Sequence, residues 1–444
     1  MISGIPPGRS GTGRFLEYIK KNFSDLFQFI FLDGPYDHEI RKELENLSSH
    51  KILLFHPQTI GFKTFKELVL KNKCFLYVLD NSFFCGASYN YIKGENQSCF
   101  RCLENRENEI KYNCVNTWNF DDFTEFAEKI FYFAQNESQK KLLLKKFGTH
   151  IQVIVLGMNV LDDISDKPLP NPESGYDIVF HANKSFAKGY EFARKLDNSL
   201  SDFSIYFPEK GETWETGLKE KVQNAKIVIN PSLWSAPVEG ALLKSIKYNG
   251  CVAVTSTEGS FVEEISDNTL LKLNPENINE SLLLLLNLLN NKKKRDQIRK
   301  LAKNWLTEHQ KQATFRIKSS FKRKFEYAFS STRKFDNRYF DKQNEFHECK
   351  ISLEDIKGFL TYSVFCLSEQ TKHLLKYNYI KPDYIFDNNH ELHGMDYGGI
   401  KILSTESDEL KHSRNIIIIS NHSKNIYKDL LELPFVINNI KILI

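Results

Sequence analysis

The chain has 444 residues, of which 41% are hydrophobic and 26% charged, with a formal net charge of +4. That composition can bury real cores, and its interspersed charge signs exclude a dedicated nucleic-acid or other polyanion partner. With no run of ~18 apolar residues and no signal-peptide core in the opening MISGIPPGRSG, the expectation is a cytoplasmic protein whose cysteines are mostly reduced.

Residues 1–163 read as one α/β unit. Met1-Ile2-Ser3 leads into the Gly-rich loop GIPPGRSGTGR and a helix from Phe15 to Phe23. Such a loop between strand and helix brings backbone N–H groups against an anion. Gly8 and Gly13 have the outer spacing of a P-loop, but Arg14-Phe15 stand where Lys and Ser/Thr would grip phosphate and magnesium. Gly11 and Gly13 permit close approach of a ligand, and Arg14 is either a ligand contact or a surface charge. Strands are expected at Gln28–Leu32, Ile52–Phe55, Phe75–Leu79 and Gln152–Leu156, with helices at Phe120–Ala134 and Glu137–Phe147 among those between them. That alternation implies a mostly parallel sheet covered on both faces. His56 and Asp80 end two strands, on the edge where α/β sheets bind ligands, although each is equally a half-buried histidine and a cap.

Cys85, Cys99, Cys102 and Cys114 lie in a loop-like segment, 85–114, with C-x13-C-x2-C-x11-C spacing. Four thiolates there would make a closed, structural zinc site; ordinary reduced cysteines fit the spacing as well.

Residues 162–175 (DDISDKPLPNPESG) read as a linker. A second α/β unit, 174–330, opens with the strand Tyr176–Phe180 and the loop HANKSFAKG. Lys184 and Lys188 lie at or just before a helix start, where the helix dipole disfavours cations unless an anion binds there. Strands are expected at Phe203–Phe207, Ile227–Ile229 and Cys251–Val254, and helices at Gly217–Ala225, Val238–Tyr248, Asn277–Leu289 and Lys292–His309. Residues 311–330 form a basic amphipathic helix. Peripheral membrane contact would suit it, and packing on a domain face is the commoner use of such a pattern. A third small α/β unit, 345–444, has strands at Phe359–Phe365, Tyr384–Phe386 and Asn415–Ser420, helices at Glu369–Tyr377, Glu406–His412 and Asn425–Leu431, and no dinucleotide fingerprint.

The order of Gly11-Thr12-Gly13-Arg14, a linker, Lys188-Gly189, Pro231-Ser232, a Glu-containing helix and a Gly-x-Val-x-x-Thr strand resembles the retaining glycosyltransferases of family four. The resemblance covers about residues 1–330 and implies a GT-B fold, two Rossmann-type domains, with the third unit appended. Segment 85–114 is similar to a cysteine-bearing insert of bacterial members. By the same resemblance, Lys188 would hold the diphosphate of a nucleotide-sugar donor, helped by Lys184, Arg14 and the helix start near Ala236 to Gly240. The implied transfer proceeds with retention to a glycan or lipid-linked acceptor, in cell-surface polysaccharide or glycoconjugate synthesis, and requires no cofactor. Candidate catalytic residues are Lys188, Glu239 and His56. Donor-binding candidates are Gly11, Gly13, Arg14, Asn183, Lys184, Ser232, Ala236, Pro237, Gly240 and Thr255. The family's Glu-x7-Glu pair would fall near Ala236 and Lys244-Ser245, so Glu239 is out of register. A non-catalytic GT-B-like protein that binds glycan or partner enzymes is the alternative.

Overall fold

The computed structural model describes residues 1–8, 11–32, 38–81, 85, 91–92, 97–99, 123, 126–159, 175–234, 238–325, 350–420, 423–431, 433 and 439–443. The chain divides into two compact units, Met1–Phe207 with Lys221–Arg333 and Pro208–Glu220 with Lys334–Ile444.

The first unit holds two parallel sheets. In one, β1 (Ile2–Ser3), α1 (Gly11–Asn22), β2 (Ile30–Phe31), α2 (His38–Glu45), β3 (Lys51–Phe55), α3 (Pro57–Ile60), α4 (Phe62–Lys71) and β4 (Lys73–Tyr77) follow one another. A two-stranded hairpin, β5 (Tyr91–Ile92) and β6 (Gln97–Ser98), comes next, then β7 (Phe131–Ala134), α5 (Glu137–Phe147) and β8 (Gln152–Val155). The strand order is β2-β1-β3-β4-β7-β8, every neighbour parallel. The chain winds outward both ways from β1 and β3, so the sheet's switch point, where open α/β sheets place ligands, lies at the carboxyl ends of these two strands.

The second sheet, β10-β9-β11-β12-β13, is also all parallel. It runs β9 (Tyr176–Phe180), α6 (Tyr190–Ser199), β10 (Ile205–Tyr206), α7 (Leu218–Asn224), β11 (Ala225–Asn230), α8 (Gly240–Tyr248), β12 (Val252–Thr255), β13 (Leu271–Leu273), α9 (Ile278–Leu289) and α10 (Lys292–Phe325). Its order reverses between β9 and β11. One apolar cluster runs through both sheets, from Phe15, Phe55 and Tyr77 through Leu242, Val252 and Phe261 to Leu306 and Phe321. Helices α1, α8 and α10 carry it. Asn136 and Asn277 start α5 and α9 by accepting the backbone N–H groups of Gln139 and Glu280.

In the second unit a seven-stranded sheet has the order β14-β20-β19-β15-β16-β18-β17. Its strands are β14 (Lys350–Ile351), β15 (Ser363–Phe365), β16 (Ile385–Phe386), β17 (Asp396–Tyr397), β18 (Ile400–Leu403), β19 (Ile416–Ile418) and β20 (Ile440–Leu443); only β17 is antiparallel to its neighbour. The chain is thus α/β throughout, a GT-B-like pair of Rossmann-type sheets plus a third small α/β sheet.

Two expectations change. Residues 131–134 are not the end of a helix but the strand β7, because Phe131-Tyr132-Phe133 alternate onto two apolar layers between β4 and β8. The helices expected at 292–309 and 311–330 are one, α10, spanning Lys292–Phe325. Its second half buries Ala313, Ile317, Phe321 and Phe325, and the last two rings meet Phe23, Phe27, Phe75 and Phe133 of the first sheet's layer. Strands β13, β14, β17, β18 and β20 were not among the expected elements; each has only two to four residues, and pairing with neighbouring strands defines them. Among the described residues no helix is long and apolar enough to cross a membrane.

Candidate functional site

The reversal point of the second sheet gathers Lys188, Ser232 and Glu239. After β9 the chain makes a short turn over Phe186–Lys188 and enters α6 through Gly189. Gly189 has φ 69°, and a Cβ there would overlap the carbonyl oxygen of Pro231. Only glycine lets the Lys188 turn lie against the loop after β11. Leu233 N–H donates to Ala187 O (2.9 Å), and Thr255 Oγ1 donates to Ser232 O (2.6 Å). Buried Thr255 therefore positions the backbone of Ser232.

On this frame Lys188 Nζ donates to Glu239 Oε1 at 2.5 Å, and Ser232 Oγ donates to the same oxygen at 2.9 Å. The Lys188 and Glu239 side chains are only 16% and 15% exposed. Lys188 also lies over the Trp234 ring, 4.2 Å from its centroid. Glu239 is the N-cap of α8 and makes no side-chain cap hydrogen bond, so its carboxylate serves Lys188 and Ser232 at the positive end of the helix. The cluster is a largely buried ion pair at a helix start, with a serine hydroxyl on the same carboxylate oxygen.

The first sheet closes on this place from the other side. A Cβ built on Gly11, the first residue of α1, would lie 4.0 Å from Gly240 Cα and N, so the starts of α1 and α8 face one another. Gly13 packs on the Gly8 backbone, where a Cβ would come within 2.6 Å of Gly8 N. Its role is thus close packing of the loop. Arg14 is half-buried, and its charge acts on Tyr248, opposing the upward push of burial on that phenol. Gln135, at the carboxyl end of β7, accepts from Val238 N (2.9 Å) and donates to Val78 O and Leu79 O. It ties the approach to α8 to the first sheet.

Asn183 and Lys184 are exposed on the loop after β9. Ala236 and Pro237 lie outside the described residues. His56 sits past β3 with a left-handed φ of 46°, and its Nδ1 is 3.0 Å from Thr59 Oγ1, which donates to Gly4 O. Burial pulls its pKa down, with Asp80 opposing. It thus stands at the reversal point of the first sheet. Cys85 is buried and Cys99 half-buried, while Cys102 and Cys114 lie outside the described residues.

Trp234, Gln135 and His181 also belong to this region, although none is a candidate by sequence pattern. His181 follows β9 and is buried; its Nδ1 is 2.7 Å from Ser245 Oγ, and Asn230 Nδ2 donates to its carbonyl. Burial, with Lys244 nearby, pushes its pKa down to about 3. Ser245, at the place of an expected acid, is fully buried, and it also donates to Ala241 O (2.9 Å). Position alone marked His181, the first polar residue after a buried strand.

No protein-family model and no curated protein matches the sequence. Among solved structures, the backbone is similar to WaaG, a glycosyltransferase involved in lipopolysaccharide biosynthesis, at 10% identity over 74% of this chain and 100% of that one, with a TM-score of 0.49. HepE of Anabaena, solved with UDP-glucose, is similar at 9% identity over 72% and 98% of the two chains, with a TM-score of 0.48. For the GtfA/B complex the values are 14% identity and a TM-score of 0.41, and this chain spans 60% of that chain's length.

Proposed function

We propose that the chain is a glycosyltransferase using a nucleotide-sugar donor, acting with retention on a glycan or lipid-linked acceptor in cell-surface polysaccharide or glycoconjugate synthesis. One observation carries the reading. Lys188 Nζ and Ser232 Oγ converge on one carboxylate oxygen of Glu239, the N-cap of α8, at a sheet reversal point, where the starts of α8 and α1 face one another. Two helix starts and a desolvated lysine suit a diphosphate better than any neutral group. The donor's diphosphate takes the place of Glu239 on Lys188, and the same groups stabilise the charge that develops as the nucleotide leaves. The cationic and dipolar groups fill the role that a metal would otherwise have. His56 and the loops beside it are assigned to the acceptor side.

Thermal shift of the pure protein with UDP, GDP and ADP tests the reading. At least one should raise the melting temperature, and failure of all three removes donor use. Ser245 favours a second reading, a non-catalytic GT-B-like binder. It lies fully buried against His181, where the second carboxylate of the Glu-x7-Glu pair is expected. Sugar transfer lost on Lys188→Ala, with folding intact, rules that reading out.

A further inference from the structure

A cavity in the first unit is lined by none of Lys188, Ser232 and Glu239. It occupies about 300 Å³ between the carboxyl ends of β7 and β8, the turn Phe261–Glu264 after β12, and the middle of α10. The two halves of this unit are joined here. Gly157 leaves the first sheet with φ 83°, and a Cβ there would meet Ala313 of α10 at 2.8 Å.

Its lining is unusual for a packing defect. Phe261, Trp305 and His309 form an aromatic group, with the Trp305 and His309 rings stacked at 4.8 Å and 18°. His309 Nε2 is buried and has no hydrogen-bond partner among the described residues. Gln312 accepts from Arg316 through Oε1, which leaves its amide N–H groups for another acceptor. Glu308 lines the same space. A buried, unpartnered nitrogen costs about 1–3 kcal/mol, and such a group in a native structure usually marks a missing partner.

We infer that this cavity binds one neutral sugar ring, its C–H face on Phe261 and Trp305 and its hydroxyls on His309 Nε2, Gln312 and Glu308. The volume is the share of about ten waters, at the lower end for a small-molecule site. That suits a monosaccharide and excludes a nucleotide. Glu264 accepts from Ser138 N–H and Glu137 pairs with Lys140, so Glu308 and Arg316 are the lining charges left over, and their balance suits a neutral ligand. An aromatic cage with carboxylates would also attract a quaternary ammonium, but such a cation has no group to satisfy His309 Nε2. The inference goes beyond the donor reading and does not rest on it.

The full chain is titrated with D-glucose, D-galactose, D-mannose and N-acetyl-D-glucosamine, up to about 100 mM because a single ring binds weakly. Saturation-transfer NMR and calorimetry report binding. At least one sugar should bind, and His309→Leu and Glu308→Gln should each weaken it about fivefold or more. His309→Leu should leave the melting temperature equal or raised, which a purely structural histidine would not do. Lys188→Met should leave sugar binding unchanged, which separates a failure here from a failure of the donor site. The inference is overturned if no sugar binds, if both variants titrate like the parent, or if choline binds and the sugars do not.

Discussion

The pair Lys188–Glu239 yields the sharpest prediction. Across 2.5 Å, the gross attraction of two unit charges at an effective dielectric of ~20 is about 6–7 kcal/mol. Desolvating both groups takes back most of it, leaving a net coupling of about 1–3 kcal/mol. A double-mutant cycle of Lys188→Met and Glu239→Gln, followed by urea denaturation, measures that coupling. The same four proteins are then titrated with UDP. Lys188→Met removes a charge-assisted contact to phosphate and should weaken UDP about 10- to 100-fold. Glu239→Gln removes the competing anion and should tighten UDP by about tenfold, the reverse of what a ligand-contacting carboxylate would do. The reasoning fails if folded Lys188→Met binds UDP as the parent does. It fails equally if the coupling is below about 0.5 kcal/mol, within the range of an exposed pair.

Four further outcomes are expected. Gly189→Ala forces a left-handed residue against Pro231 O; it should cost about 1–3 kcal/mol in denaturant and weaken UDP, and an unchanged protein would remove the claim that this turn needs glycine. Gln135→Ala leaves Val78 O, Leu79 O and Val238 N without their partner; a loss of about 1–3 kcal/mol should follow, and a change near zero would argue against the link. His181 and His309 are held down to about 3 and about 4, both mainly by burial. The folded state thus binds these protons more weakly than the unfolded chain. Their contribution is complete above pH ~6.5 and is lost as pH falls toward 4, on the order of 2 kcal/mol each at pH 5. Urea midpoints at pH 7 and pH 5 should converge partly in His309→Leu, and an identical pH dependence in the parent and the variant refutes this. Metal analysis should find about one zinc per chain on Cys85, Cys99, Cys102 and Cys114; zinc-free, fully folded protein ends that proposal.

The sequence by itself determined the elements whose pattern is local. Ile52–Phe55 and Ile178–Phe180 read as buried strands because short length and flanking polar residues, not period, argue against a helix. Asn136 and Asn277 announce their helices because a capping amide acts within four residues. The Lys188-Gly189 turn stood out locally too, as a cation at a helix start in a Lys-Gly pair like that of family-four glycosyltransferases.

What depended on distant contacts was not legible. Phe131–Ala134 is a strand only because β4 and β8 flank it, and no local period distinguishes four apolar residues in a sheet from four on a helix. Glu239 was visible as an acid out of register, but not as the partner of a lysine 51 positions earlier. Gly11 and Gly240 meet across two sheets, and the cavity beside His309 draws on β7, β8, α10 and a turn after β12. Such groupings follow from strand order and helix crossing, which sum many weak contacts over the whole chain. Residue type and spacing state what chemistry is available; the tertiary structure alone decides which groups share one volume of space and are desolvated together.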